Sequence, residues 1–290
     1  MSLAPFLLSP ALNERVWGGS ALGAGIGEAW DLSVHPHGEA TVSTGPHTGR
    51  TLAAVLADQP EAFGGSIDLL AKRLDCAQNL SVQVHPPTGD PKTEAWVVLD
   101  AQPGAGVYLG FVDEVDRDDV ARRAVDGTVD DMLQFVELKV GDAVFVPAGT
   151  VHAIGGGLLL FELQQSSDTT YRLYDWGREG RELHLDEGLA VTDLGPAAPQ
   201  APVRTLHDGA ERLVECDHFV IDRVTLAAGD RTAVDPGHRW RGVFGVSGVA
   251  HIGDLSVVEG TTAIVPGDGG PVELVADTDC IGLRYGPPFA

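Results

Sequence analysis

Four side chains have the types and the spacing of a divalent-metal sphere. Gln83 and His85 lie two apart in SVQVH, so on a strand they share one face while Val82 and Val84 take the other. Glu94 opens the next strand-like run after a turn rich in Pro and Gly, which can carry it back beside them. His152 closes a Gly-x5-Pro-x-Gly-x2-His stretch over residues 141–152. Two imidazoles, one carboxylate and one amide oxygen suit Zn2+ with water completing the sphere, because zinc accepts N and O donors and catalytic sites keep a position open. Sulfur ligands, which select softer ions, are absent from the set. A single histidine at a strand end is ordinarily a hydrogen-bonded structural residue; the joint pattern is what argues for metal. Lys92 is one of three lysines in 290 residues and stands two positions before Glu94. Glu162 sits inside the apolar run LLLFELQQ, a setting that suits a general base.

The elements that must position these groups read as short strands. SIDLLAKRL, LSVQV, EAWVVLDA, GVYLGFV, FVELKV, DAVFVPA and LLLFELQQ are bounded by Gly, Pro and Asp, the punctuation of an antiparallel sandwich or barrel. Helical periodicity is confined to Leu52–Phe63, to an insertion near 113–133 and to Leu185–Val191. The expectation is an all-β chain with short helical insertions. A connector of Pro and Ala, GPAAPQAPV, places a domain boundary after residue 195, giving a catalytic domain over 1–195 and a second over 196–290. GDAVFVPAGTVH (141–152) is echoed by GTTAIVPGDGGP (260–271), with Pro271 at the position of His152. Proline carries no side-chain donor atom, so the second module is expected to hold no metal.

Composition narrows the function. A formal net charge of -23 argues against nucleic acid, which needs clustered Lys and Arg, and confines any anion site to a local basic pocket. No apolar stretch reaches membrane-spanning length, and the N-terminus lacks a basic leader. Three scattered cysteines without a CxxC pair suit a reducing compartment. A cytoplasmic protein, monomer or weak homodimer, with a small-molecule substrate and neither nucleic-acid nor membrane partner, is expected. His35, His37, His47, His184, His207, His218, His238 and His251 fall in turns or polar segments and are expected to face solvent.

Over most of residues 5–180 the segments ERVWGG, IGEAWDLSVHPHGEA, LSVQVHP, KTEAW, VPAGTVHAIG and QQSSDTTYRLYDWGR closely resemble, in order, the cupin-type class I mannose-6-phosphate isomerases, especially their short bacterial form. The resemblance implies tandem cupin (jelly-roll) barrels, the second degenerate, and Zn2+ held by Gln83, His85, Glu94 and His152. It implies interconversion of mannose 6-phosphate and fructose 6-phosphate. It also makes Arg172 the catalytic arginine, whose planar, permanently charged fork suits an enediolate or phosphate oxygen, and turns Lys92 into the pocket beside the metal. Moving a carbonyl between C1 and C2 needs a base, an electrophile and positioned cations, and Glu162, the metal and the pair Lys92 and Arg172 supply that set. Whether Glu162, a metal-bound water or another group moves the proton stays open, as does the ranking of Arg172, Arg178 and Lys92 as phosphate ligands. Trp17, Glu28 and Trp30 form a further block like the family's, with core packing the expected role of both tryptophans. Two other readings are an Fe2+ cupin oxygenase, since two His and a carboxylate also describe a facial triad, and a metal-binding cupin with a sugar-binding or regulatory role.

Overall fold

The computed structural model describes residues 2–288. Strands dominate, the ladders between strands are antiparallel with an isolated parallel bridge from Gly245 to Glu259 beside them, and the helices are short, so the all-β expectation with helical insertions holds. Among the described residues no helix is long and apolar enough to cross a membrane.

The chain divides into two compact units, one of Met1–Leu12, Trp30–Lys72 and Ala201–Ala290, the other of Asn13–Ala29 and Arg73–Gln200. This differs from a single cut after residue 195, because two N-terminal pieces group with the C-terminal part. The reason lies in one ladder. Strand Phe6–Ser9 pairs antiparallel with Thr262–Pro266 (Phe6 opposite Ile264), and its other edge pairs with Thr41–Val42. Phe6 and Leu8 are buried on one face of this strand, while Leu7 on the other packs against an apolar cluster that includes Val243, Ile252, Val265 and Leu274. An eight-stranded and a four-stranded sheet build it.

The other unit carries the candidate residues. A five-stranded sheet runs in the order Tyr171–Tyr174, Val82–Val84, His152–Ile154, Gly106–Phe111, Leu133–Glu137. In a second sheet Ala143–Val146, Glu94–Ala101 and Leu158–Gln165 are successive neighbours. Val82 and Val84 are fully buried in a cluster with Phe111, Val120, Ala124 and Leu173, which fixes the face that Gln83 must present on the opposite side.

Val120 and Ala124 come from helix Arg117–Asp126, the expected insertion. Asp116 caps it by accepting from Asp118 N and Asp119 N, Gly127 ends it in the left-handed conformation (φ 76°), and Arg122 pairs with Asp119 and Asp126 on its exposed side. Burying Val120 contributes about 1.5–3 kcal/mol. A charge at that position would push the helix off the apolar cluster it shares with Val82 and Val84. The helical stretch at 52–63 appears as Leu52–Asp58 followed by a 3-10 turn at Pro60–Phe63, and Leu185–Val191 forms as expected.

Candidate functional site

Register across the five-stranded sheet assembles the site. Gln83 lies opposite Arg172 on one side and opposite His152 on the other. Directly paired residues point to one face, so Arg172, Gln83 and His152 form a row across three strands, and His85 follows two positions after Gln83. Glu94 enters from the second sheet as the first residue of Glu94–Ala101, opposite Val146 and Gln164. The turn before His152 needs its glycine: Gly149 has φ 93°, its N–H donates to His85 O at 2.9 Å, and an added Cβ would lie 3.0 Å from an Asp193 carboxylate oxygen.

The hydrogen bonds of both imidazoles fix their tautomers. His85 Nδ1 lies 2.9 Å from Thr169 O and His152 Nδ1 lies 2.9 Å from Thr150 O. A carbonyl only accepts, so each Nδ1 carries the proton and each neutral ring leaves a bare Nε2. Those two nitrogens face one carboxylate: His85 Nε2 is 3.3 Å from Glu94 Oε2 and His152 Nε2 is 3.3 Å from Glu94 Oε1. The three side chains are each 1% exposed, and their donor atoms lie within 4.8 Å of one another.

Electrostatics hold the same protonation states. Burial, helped by the Lys92 ammonium, pushes His85 down to about 4 against the pull of Glu94. Burial likewise lowers His152. For Glu94 burial opposes the charge, yet the Lys92 ammonium outweighs it and holds the carboxyl well below its usual range. Neutral imidazoles and an ionised carboxylate are the forms that ligate a metal. Oε2 of Glu94 is buried without a well-directed hydrogen-bond donor. A convergent, buried, acceptor-only set of this kind fits a divalent cation, and carbonyl acceptors behind each histidine are the usual outer shell of such a centre.

Gln83 stands beside this set. Its Nε2 is 3.3 Å from His152 Nε2, and its Oε1 accepts from Ser81 Oγ at 3.0 Å. A half-turn about χ3 exchanges the two amide atoms, bringing Oε1 toward His152 and Nε2 toward the serine hydroxyl. Lys92 is 5% exposed, with Nζ 2.8 Å from Glu94 Oε2 and 3.0 Å from His85 Nε2. Burial works against its charge, but Glu94 and Glu162 raise its hold on the proton. Glu162 is 3% exposed, lies opposite Trp96 in the ladder, and accepts from Trp96 Nε1 at 3.0 Å. Trp96 in turn packs edge-on against His152, ring centroids 5.6 Å apart.

The strand Tyr171–Tyr174 orders the arginines. Arg172 Nη1 donates to Glu182 O at 2.6 Å, and its buried Nε has no hydrogen-bond partner. Burial and the neighbouring Arg181 lower its hold on the proton. Asp175, itself buried, is shared by Arg178 at 2.7 Å and Arg181 at 3.0 Å. Arg178 is thus engaged locally. Four of the histidines expected to face solvent, His35, His47, His184 and His251, are half-buried instead, and one of them holds the arginine: the backbone N–H of His184 donates to Arg172 O at 2.8 Å, and its Nδ1 accepts from Arg172 N at 3.2 Å. It braces the arginine's backbone from both sides. Trp17 packs in the core and Glu28 is held by Arg15 at 3.0 Å.

The carbonyls of Thr150 and Thr169 and the bracing by His184 are the parts of the site that sequence reasoning missed. Backbone acceptors leave no residue signature, and only the ring at 184 could have drawn notice.

Known proteins are similar to the chain along most of its length. The model of the family described as phosphomannose isomerase type I, catalytic domain, matches residues 6–103, a span that holds Gln83, His85, Lys92 and Glu94. The mannose-6-phosphate isomerase ManA of Bacillus subtilis (strain 168) is 36% identical over 78% of this chain and 81% of its own. The mannose-6-phosphate isomerase of Streptococcus mutans is 35% identical, covering 72% and 74%. A crystal structure of the mannose 6-phosphate isomerase from Bacillus subtilis superposes with a TM-score of 0.86 at 25% identity, over 98% of this chain and 99% of the other.

Proposed function

The chain belongs to the type I phosphomannose isomerase family, and from that premise we propose that it interconverts mannose 6-phosphate and fructose 6-phosphate at a zinc centre. The observation that carries this reading is the pair of Nδ1-protonated imidazoles whose bare Nε2 atoms converge on Glu94. His85, Glu94 and His152 would hold the ion, with Gln83 Oε1 as the fourth protein ligand. Zn2+ supplies Lewis acidity toward the sugar's oxygens when bound.

The remaining steps fall to side chains of the same unit. Isomerisation removes the proton alpha to the carbonyl and returns it to the neighbouring carbon, passing through an enediolate. Glu162 is the carboxylate assigned to that transfer, oriented by the indole of Trp96. Arg172 projects from the face of Gln83 with an unpartnered Nε and stabilises the negative charge that develops on the substrate oxygens. Lys92 keeps its proton beside Glu94 and offers a second cation to them. Burial of His85, Lys92, Glu94, His152 and Glu162 limits competing water.

Catalysis is assigned to the unit of Asn13–Ala29 and Arg73–Gln200, and a structural role without metal to the unit that contains Pro271. Three free thiols suit a reducing, cytoplasmic setting. The test is metal analysis of the purified protein followed by conversion of fructose 6-phosphate to mannose 6-phosphate, with and without chelator. Turnover indifferent to chelator contradicts the zinc assignment, and a zinc-loaded protein without turnover contradicts the isomerase.

A further inference from the structure

The two histidines of the centre obtain their Nδ1 acceptors in different ways. His152 uses the carbonyl of Thr150, two residues back in its own turn. His85 uses the carbonyl of Thr169, brought from 84 residues away by the loop between Leu158–Gln165 and Tyr171–Tyr174. That loop has no regular structure of its own, so something must hold Thr169 O in place.

Asp90 is the side chain that does. Its Oδ2 accepts from Ser167 Oγ at 2.8 Å and from Thr169 Oγ1 at 2.6 Å, and its backbone carbonyl lies 3.3 Å from the same serine hydroxyl. Ser167, 2% exposed, also receives Thr169 N on its Oγ at 3.2 Å. Gln164 Nε2 ties the loop from the strand side, donating to Gln165 O at 2.8 Å and to Ser167 O at 2.6 Å. Asp90 differs from these loop-internal ties because it belongs to the other loop, two residues before Lys92 and four before Glu94. One carboxylate therefore clasps the segment that carries Lys92 and Glu94 to the segment that fixes His85 and leads into Arg172.

We propose that Asp90 is a positioning residue of the centre: by gripping the hydroxyls of Ser167 and Thr169 it holds Thr169 O on His85 Nδ1 and so keeps His85 Nε2 aimed at the metal position. The effect passes through an outer-shell acceptor, the kind of contact whose loss weakens metal binding by about 10- to 100-fold. The inference rests on the zinc reading for its function, but its geometry is a property of the protein without metal.

The experiment uses the full-length chain with 15N-labelled histidine. Exchange of the His85 and His152 Nδ1 protons is followed by NMR in chelator, and zinc affinity is measured separately by chelator competition. In Asp90→Ala the His85 proton exchanges about 10-fold faster and the zinc Kd rises about 10-fold, while the His152 proton is unchanged. Thr169→Val, which removes the hydroxyl and keeps the carbonyl, moves both readings the same way, and Asp90→Asn, which retains an acceptor oxygen, stays within about 2-fold of wild type. An unchanged His85 proton in Asp90→Ala overturns the proposal, and so does equal acceleration at His152, which would mean general loosening. A wild-type protein that binds no zinc refutes the zinc reading alone, since the proton measurement still judges the clasp.

Discussion

Removing the charge of Glu94 tests the electrostatic core of the site. The Lys92 ammonium lies 2.8 Å from Glu94 Oε2, with the two side chains 6% and 1% exposed. At an effective dielectric of about 20 that separation gives roughly 6 kcal/mol of attraction, and it is set against the cost of taking both charges out of water. Losing one partner leaves the other buried and uncompensated, which costs about 3–5 kcal/mol. Glu94→Gln should fall near the lower end, because Glu162 still supports the lysine; Lys92→Met should fall near the upper. The double variant carries neither charge and should be much closer to wild type than the sum of the singles, with a coupling energy of at least about 3 kcal/mol. Urea unfolding of the four proteins in chelator measures this without a contribution from metal. Single costs below about 1 kcal/mol that add in the double variant would show that the pair behaves as a solvated surface bridge and that the site is not dry.

Further expectations concern metal, turnover and pH. His152→Ala should reduce bound zinc from one per chain to a trace and abolish isomerisation, as read by metal analysis after gel filtration. Arg172→Ala should keep its zinc while kcat falls by about 100-fold or more, the pattern of a contact made in the transition state; equal metal loss in both variants would show that the arginine supports the ligands instead. Stability of the chelated protein should fall as pH drops from 6.5 to about 4. His85 has its folded pKa below its unfolded one, so in that window the unfolded chain binds the proton first, and about 3 kcal/mol is lost from this residue. His152 adds in the same direction. Urea melts at pH 7, 5.5 and 4.5 check it, and a flat profile would contradict buried neutral imidazoles.

The convergence of Gln83, His85, Glu94 and His152 on one place was legible because strand periodicity is local. Gln83 and His85 declare a shared face within three residues, and the Pro-Gly turn before Glu94 and the glycine before His152 mark where the chain reverses. The place of Arg172 came from resemblance alone, since its pairing with Gln83 joins residues far apart in sequence. Asp90 carried no signal, being an ordinary turn aspartate until its partners at 167 and 169 are known. The makeup of the units escaped for a related reason: strand Phe6–Ser9 reads as an isolated apolar tetrapeptide, and nothing nearby says that its partner lies at 262–266. Local pattern specifies faces and turns; long-range register is decided by packing.

That ladder also sets a clock for biosynthesis. Phe6–Ser9 leaves the ribosome long before its partner Thr262–Pro266 has been made. At roughly 5–20 residues per second the wait is on the order of 10–50 s. Throughout it, the edge meant for Thr262–Pro266 lacks its partner, and an unpaired strand edge is a template for mispairing. Overproduction at reduced temperature, or with a holdase present, should therefore raise the yield of folded protein more than any change at the metal site.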